Sequence, residues 1–401
     1  YRLNQYVYDA YSQLKTSINA NNNVTNYDYD NNHRLVKTTY PNGLETINIY
    51  DSVTGALIST RQVDSNLIGG SQRNTFYEYN VYGEVSKQTD ANNSFVEMNY
   101  SADGQITSVS YSNNDLQDTN DDHVITYYYD LNGQLITTLD NGGYDQTTDS
   151  YQTRVLETRT YNNYGEVVSI TNLNGLVTSF DYDQYGRLIR TTEKDVEHSS
   201  YENSVFVNQT SDLVTTTTYD LLDRVVSVSE PNGLLTTNVY DELGNIIQVI
   251  TSVEETDITT SYTYDRFNNV ITTTDSLNQT INTIYNALNQ LVKTIEPTLE
   301  SMVYEYDDNG NLIKKEYFSA DLSKSEKIEY VFNNMDQLIQ TKEYRTTNGV
   351  LTPYFTTNTY TNFGELASVQ DPTGYTILYQ YDDIGNKIHA DHGDQNEIEY
   401  E

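Results

Sequence analysis

The chain has 401 residues, 39 of them Tyr, with 22 Lys plus Arg against 58 Asp plus Glu, a formal net charge of −36, and neither Cys nor Trp. Without Cys there can be no disulfide, thiolate metal site or Cys nucleophile. A chain this acidic repels nucleic acid, and no run approaches the ~18 consecutive apolar residues of a membrane helix.

Taken in chain order, one pattern recurs. An aromatic, usually followed by Asp or Asn, opens a unit at Tyr8, Tyr29, Tyr50, Tyr79, Tyr100, Tyr129, Tyr161, Tyr182, Tyr219, Tyr240, Tyr264, Tyr285, Tyr306, Phe332, Tyr360 and Tyr381. Eight of the fifteen spacings are 21 residues and none is shorter, so the unit is 21 residues with tolerated insertions. The longest insertions fall in 139–160 and 191–218; shorter ones fall in 63–76, 110–126, 318–330 and 343–358. The pattern reads as one continuous array over 1–401. It opens at Tyr1 and stops at Glu401 inside the repeat, which suggests a piece of a longer protein, with the next Tyr due at about position 402.

Each unit carries two turns. Four residues after the aromatic comes Gly in many copies, among them Gly133, Gly186, Gly244, Gly310 and Gly385, or else Asp223, Asn268, Asn289 or Asp336. These types tolerate positive φ, and a preceding Asp can bond back to the backbone. A second turn lies twelve to fourteen residues after the aromatic, at Pro41-Asn42-Gly43, Pro231-Asn232-Gly233 and Pro372-Thr373-Gly374. Between the turns run five to seven residues rich in Thr, Val, Ile, Leu and Tyr, the types that suit a pleated, half-buried surface. In Glu45–Tyr50, Ile47 and Ile49 share one face and Thr46, Asn48 and Tyr50 the other. Two strands per unit predict an all-β train of roughly thirty-two antiparallel strands. So long a sheet must coil, split or close, because twist accumulates. A spiral or shell is therefore expected, with a parallel β-solenoid as the alternative. Tyr27-x-Tyr29, Tyr262-x-Tyr264 and Tyr379-x-Tyr381 place two rings on one face, and stacked units would form ring ladders. These are expected to be the core of a repeat wall, dry on one side; rings that stack on sugars are the competing reading.

Tyr182-Asp183-Gln184-Tyr185-Gly186-Arg187-Leu188-Ile189 and Tyr240-Asp241-Glu242-Leu243-Gly244-Asn245-Ile246-Ile247 resemble the YD repeats of the Rhs family. That family comprises polymorphic bacterial toxins, wall-associated proteins of Gram-positive bacteria, shell components of insecticidal toxin complexes, and teneurins. The resemblance covers the chain from about Tyr8 onward. It implies a β-strip wound as a hollow shell and, in toxin members, an enclosed toxic C-terminal segment. Two departures stand out. The family's Gly-Arg-Leu occurs here as Gly186-Arg187-Leu188, with His33-Arg34-Leu35 and Asp223-Arg224-Val225 close to it, while Asn, Gln or Glu stands at that position in most other copies. Asp371-Pro372-Thr373-Gly374 does not match the family's self-cleavage segment and sits in an ordinary second turn.

Candidate chemistry is sparse. Asp118, Asn120 and Asp122 place oxygens at positions one, three and five of a calcium-like loop, so calcium is the one cofactor candidate. The loop lacks the Gly at position six, where His123 stands, and the Glu at twelve, where Tyr129 stands. His389 and His392 with Asp391 and Asp394 could share a metal, although a solvated polar turn is the plainer reading. Ser, Asp and Glu are too common to single out a hydrolytic triad or a glycosidase pair. No catalytic residue is assigned. The expected function is a non-catalytic shell segment of a large secreted or cell-surface bacterial protein. Its expected partner is the rest of its own longer chain, an enclosed C-terminal toxin or effector. The alternatives are a surface adhesion module that binds glycans and an extracellular fibre of like copies; nucleic acid and a membrane span are not expected.

Overall fold

The repeat aromatic and the residue after it set the first turn. In Asp183–Arg187 the Asp183 backbone N–H donates to the Arg187 carbonyl and the Gly186 N–H to the Asp183 carbonyl, both at 3.0 Å. Gly186 has φ +78. This is a three-residue hairpin loop closed by a left-handed residue, the arrangement whose twist suits antiparallel strands. The second turn is built the same way. Tyr40 N–H donates to Leu44 C=O, Gly43 N–H donates to Tyr40 C=O, and Gly43 has φ +86. Where Gly is missing, Asp223, Asn268, Asn289 and Asp336 take positive φ, as do Leu299 and Leu322.

The computed structural model describes residues 4–64, 72–112, 123–145, 150–202, 205–253, 256–322, 325–347, 350–393 and 397–399. They form 33 strands and no helix. The strands belong to one sheet. Wherever a register is defined, each strand pairs antiparallel with the next in sequence, as in Asn26↔Thr39, Thr178↔Glu193 and Thr357↔Gln370. The antiparallel hairpin train is thus the fold, and the parallel solenoid is excluded by these registers. Two compact groups divide the strands: residues 1–95 with 283–401, and residues 96–282.

A register shift falls at the repeat aromatic, for example between Asp28 and Tyr29, Asp181 and Tyr182, and Val331 and Phe332. One extra residue on the outgoing strand is thereby left unpaired, a bulge; the second turns, which also close on a left-handed residue, carry no such shift. The insertions are extended hairpins at the second turn. Strands Leu188–Glu202 and Val205–Tyr219 pair out to Glu202↔Val205, and Leu135–Asp145 pairs with Ser150–Tyr161.

One expectation needs correction. The tyrosine ladder is not the dry core of a wall. Among the described residues the buried apolar side chains are Ala20, Leu44, Val109 and Ala390, all small or isolated. Apart from the exposed Tyr8, the repeat rings are half-buried. A single layer of strands has nothing stacked upon it, so lateral contacts within the layer replace a two-layer core. The opposite face is exposed and mixes polar residues with apolar ones such as Ile49, Tyr128 and Ile284. There the residue before the aromatic pairs across strands with one eight after it: Thr160 with Ser169 at 2.6 Å, Thr218 with Ser227 at 2.7 Å, and Glu305 with Lys314 at 3.0 Å. In Leu44–Tyr50 the Tyr50 ring lies on the covered face and Ile49 on the exposed one.

Candidate functional site: a seam between the two turn edges

Three devices hold the first turns, one within the turn and two that reach a neighbour. The first is the residue after the aromatic. Asp183 Oδ1 accepts from the N–H of Tyr185 at 2.8 Å and of Arg187 at 3.1 Å. Asp130, Asp241, Asp265 and Asn333 do the same in their turns. The second device is the hydroxyl of the repeat tyrosine. Among the described residues, twelve of these hydroxyls donate to a carbonyl just past the previous first turn, at 2.6–3.1 Å. Tyr182 reaches Val167 C=O and Tyr240 reaches Val225 C=O. Each Tyr thereby meets its need for a polar partner and ties one unit to the one before.

The third device is the residue five after the aromatic, where the family has Arg. Arg187 Nε donates to Asp183 at 2.7 Å, and its outer nitrogen reaches Asp220 C=O at 2.9 Å and the Asp223 carboxylate at 2.8 Å in the next first turn. Gln105 Nε2 donates to Gly133 C=O at 2.8 Å, Gln337 Nε2 to Gly364 C=O at 3.0 Å, and Asn311 Nδ2 to Asp336 at 2.9 Å. Amides at this position therefore make the same two-way link as Arg. They also roof the next turn's glycine. A Cβ on Gly186 would lie 2.8 Å from Glu166 Oε1, and one on Gly133 would lie 3.0 Å from Gln105 Nε2. Shallow grooves remain between neighbouring first turns. One of about 640 Å³ is lined by Gln134, Arg159, Tyr161, Asn162 and Tyr164.

Within the group formed by 1–95 and 283–401, the second-turn edge of the early repeats meets the first-turn edge of the late ones. Asn21 N–H donates to Asn309 Oδ1 at 3.1 Å, and Asn21 Nδ2 to Asp307 at 2.9 Å. Asn334 Nδ2 donates to Pro41 C=O at 2.8 Å, and Asn42 Nδ2 to Asn362 C=O at 2.9 Å. Asn362 bonds the carboxylate of Asp64, which is 2% exposed. Arg73 pairs with Glu365, lies 3.4 Å from Asp382 C=O, and stacks its guanidinium 4.2 Å from the Phe363 ring centre. The second turn of the first repeat thus meets the first turn of the thirteenth, and the third repeat's hairpin meets the fifteenth and sixteenth. Burial works against ionisation of Glu365 and Asp307. Hydrogen bonds from Thr361 and Arg73, and from Asn311 and Asn21, outweigh it and hold both carboxyls below their usual range. A desolvated carboxylate this well matched is costly to leave without its partner.

The individual residues singled out from sequence fall as follows. Gly133, Gly186, Gly244, Gly310 and Gly385 occupy first turns, and Gly43, Gly233 and Gly374 second turns, all at positive φ. Asp118, Asn120 and Asp122 lie outside the described residues, as does Asp394. His33 is a first-turn residue at φ +64, with Nδ1 3.1 Å from Gln13 Oε1 and its ring against Tyr11. His123 Nδ1 lies 3.1 Å from Asp140, a 2%-exposed carboxylate that also pairs with Arg154 at 2.9 Å. His389 pairs across strands with Gln380 and Glu399. Among the described residues no three His, Asp or Glu side chains are arranged to hold a metal.

Sequence reading missed the seam. Its residues are ordinary turn asparagines whose partners lie some 290–320 positions away. The available signal was Arg73, a cation inside an insertion of a chain with 22 cations against 58 acids.

A family model described as teneurin YD-shell matches residues 144–319, and one described as RHS repeat matches residues 8–45. No curated protein matches the sequence. Among solved structures, TcdB2-TccC3-TEV aligns with a TM-score of 0.63 at 15% identity, over 96% of this chain and 22% of that one. TcdB2-TccC3 without its hypervariable C-terminal region gives 0.62, 16%, 96% and 22%, and TcdB2-TccC3 gives 0.57, 15%, 95% and 24%. The chain therefore spans less than a quarter of the length of these structures, and at such identities the likeness is one of fold. Repeat chemistry, the two family matches and the shared sheet agree: the chain resembles the Rhs/YD-repeat shells.

Proposed function

We propose that the chain is a structural wall segment of a secreted or cell-surface protein, and that the wall encloses or presents a segment encoded further along the same polypeptide. The observation that carries this reading is the seam. A single-layer sheet is a poor barrier while its turn edges are free, and here one turn edge is bonded to the opposite edge twelve to thirteen repeats later. Such bonding suits containment more than recognition, because its polar groups are spent on the wall itself. The solved neighbours include a form without its hypervariable C-terminal region, the kind of segment such a wall would hold. The test is limited proteolysis of the full natural protein. Segments beyond the repeat array should resist cleavage, and Arg73→Ala should expose them. Cleavage of those segments at the rate of the isolated peptide would sink the reading.

A further inference from the structure

The seam joins turns whose local sequence recurs elsewhere in the chain. Pro41-Asn42-Gly43-Leu44 and Pro231-Asn232-Gly233-Leu234 are the same four residues, in the second turns of the second and ninth repeats. Both glycines are left-handed, at φ +86 and +84, and both asparagine side chains accept from the leucine N–H, at 3.1 and 2.9 Å. The glycine N–H closes each hairpin, on Tyr40 C=O at 2.9 Å and on Glu230 C=O at 3.0 Å. The two turns differ at Nδ2. In the half-buried Asn42 it donates across the seam to Asn362 C=O at 2.9 Å, whereas Asn232 is exposed and has Glu230 at 3.4 Å. First turns hold a second such pair, Asn309-Gly310 and Asn132-Gly133, each three residues after its aromatic. Asn309 is half-buried, takes the Asn21 N–H on Oδ1 at 3.1 Å and gives Nδ2 to the Asp336 carboxylate at 2.9 Å, while Asn132 is exposed.

Asn-Gly is the dipeptide whose side chain reacts most readily with its own backbone, because glycine has no Cβ to shield the attacking nitrogen. The glycine nitrogen bonds to Cγ, the Cγ–Nδ2 bond breaks, and Nδ2 leaves as ammonia with the proton that the glycine nitrogen carried. Water then opens the cyclic imide to aspartate or its β-linked isomer. One water is consumed and one ammonia released, with no oxidant, metal or enzyme. To start, Cγ must swing over the glycine nitrogen, and that motion breaks the bonds made by the side-chain amide. We propose that Asn42 and Asn309 are spontaneous deamidation sites that the closed seam keeps unreactive, and that their conversion after opening makes the opening one-way. A carboxylate cannot donate. At position 42 it would set an oxygen against the carbonyl of Asn362, whose side chain holds the buried Asp64 carboxylate, and at 309 it would face Asp336. Two acceptors then meet where a donor met an acceptor, in a chain that already carries −36. The latch needs only the seam, whether or not the wall encloses a segment.

Peptide mapping by mass spectrometry on the 401-residue chain, kept folded at mildly alkaline pH, tests the protection without any variant. Asn42 should convert at least about tenfold more slowly than Asn232, as expected when reaction waits on local opening, and Asn309 likewise against Asn132. In concentrated denaturant the members of each pair should convert at similar rates. Equal rates in the folded chain, or a difference that survives denaturant, overturn the protection. Asn42→Asp makes the product directly and tests the latch. Amides of 361–385 should exchange at least about tenfold faster in it, with those of 161–240 unchanged. Asn232→Asp should leave 361–385 as it is. Unchanged exchange of 361–385 in Asn42→Asp, an equal rise in both segments, or the same effect from Asn232→Asp overturns the one-way opening.

Discussion

The two turn edges of this sheet use the same hairpin loop and behave differently. On the first-turn edge, the spacing of aromatic to left-handed residue is four in nearly every repeat; Gly55, five after Tyr50, is an exception. On the second-turn edge, hairpins grow to 15-residue strands. The cause is lateral bonding. A first turn is held on both sides, by a tyrosine hydroxyl and by the side chain five after the aromatic, so an extra residue would break links to two neighbours. In second turns a Cβ on Gly233 or Gly175 would meet nothing within 4 Å, as is also true of the first-turn Gly83 and Gly244, whereas Gly133, Gly165 and Gly186 are roofed by the side chain five after the previous aromatic. Length varies where a turn is not laced to its neighbours on the same edge, as in the hairpin that carries Arg73, which bonds across the seam instead.

The severest test of this contrast lies where the two edges meet. Arg73→Ala removes an ion pair, a carbonyl contact and a ring contact, and leaves Glu365 desolvated without its cation. A loss of about 2–4 kcal/mol is expected. Repeat arrays open locally, so hydrogen exchange is the right readout. Amides of 361–385 should exchange much faster while those of 161–240 do not change. Unchanged exchange in 361–385 would mean that the seam holds nothing.

Glycine substitutions separate the edges more directly. Gly186→Ala and Gly233→Ala both force a left-handed alanine, costing about 1 kcal/mol. Gly186→Ala must also shift Glu166 Oε1, the end of a flexible side chain, so its loss should be the larger by at most about 1 kcal/mol. Urea melts of the two variants give the difference. Equal losses would show that the roof over the first turn is soft and that lacing does not set the spacing.

Much of the fold was legible in the sequence because its information is local. Tyr-Asp-x-x-Gly specifies a three-residue loop through groups within five positions, and a 21-residue period with two such loops leaves little besides paired antiparallel strands. The dry core was misread because half-apolar strands usually imply a second layer. Here the rings satisfy their hydroxyls within the layer, and the shell-type sheet needs none. The role of Asn, Gln and Glu at the Arg position was missed because composition alone showed only a loss of charge. The geometry shows that Gln105 and Gln337 also reach carbonyls of the next first turn, those of Gly133 and Gly364, where Arg187 and Arg224 reach those of Asp220 and Asp241. The seam was illegible for a different reason. Its offset of twelve to thirteen repeats depends on accumulated twist and curvature, which no single repeat encodes.

Acid should also separate individual turns, though not strictly by edge, since Asp371 in a second turn is held below its usual range by bonds from Thr373. In first turns the carboxyls of Asp241 and Asp265 sit below their usual range, chiefly through hydrogen bonds from Asn245 and Asn269. Asp183 and Asp220 sit below it because bonds from Arg187 and Arg224 and from backbone N–H groups outweigh burial. A depressed native value means that these groups stabilise the fold above the ordinary 3.8 and that the contribution disappears as pH falls through the native values. In the second turn at Asp90, burial first and then the nearby Asp382 push the carboxyl up, so that group is relieved rather than weakened by acid. Amide exchange followed from pH 6 downward, corrected for intrinsic rates, should therefore show residues 183–187 and 241–245 loosening before 90–94. Simultaneous loosening would argue that global charge, not turn chemistry, governs acid unfolding.

The smallest effect is a gain. Phe332 holds a repeat aromatic position without a hydroxyl, and its strand pairs with Leu338 through the usual shift. By the rule that takes Tyr306 to Leu291 C=O and Tyr360 to Leu338 C=O, its missing partner is the carbonyl of Leu312. Phe332→Tyr should add one tyrosine-to-carbonyl bond, worth about 0.5–1 kcal/mol, and Tyr240→Phe should lose about as much. The pair is informative because both rings stay in place and only an oxygen moves. If Tyr240→Phe costs nothing, the hydroxyls merely replace water and the ladder is held by its rings. If it costs what Phe332→Tyr gains, the hydroxyl is the tie between repeats, and the fixed spacing of the first-turn edge follows from it.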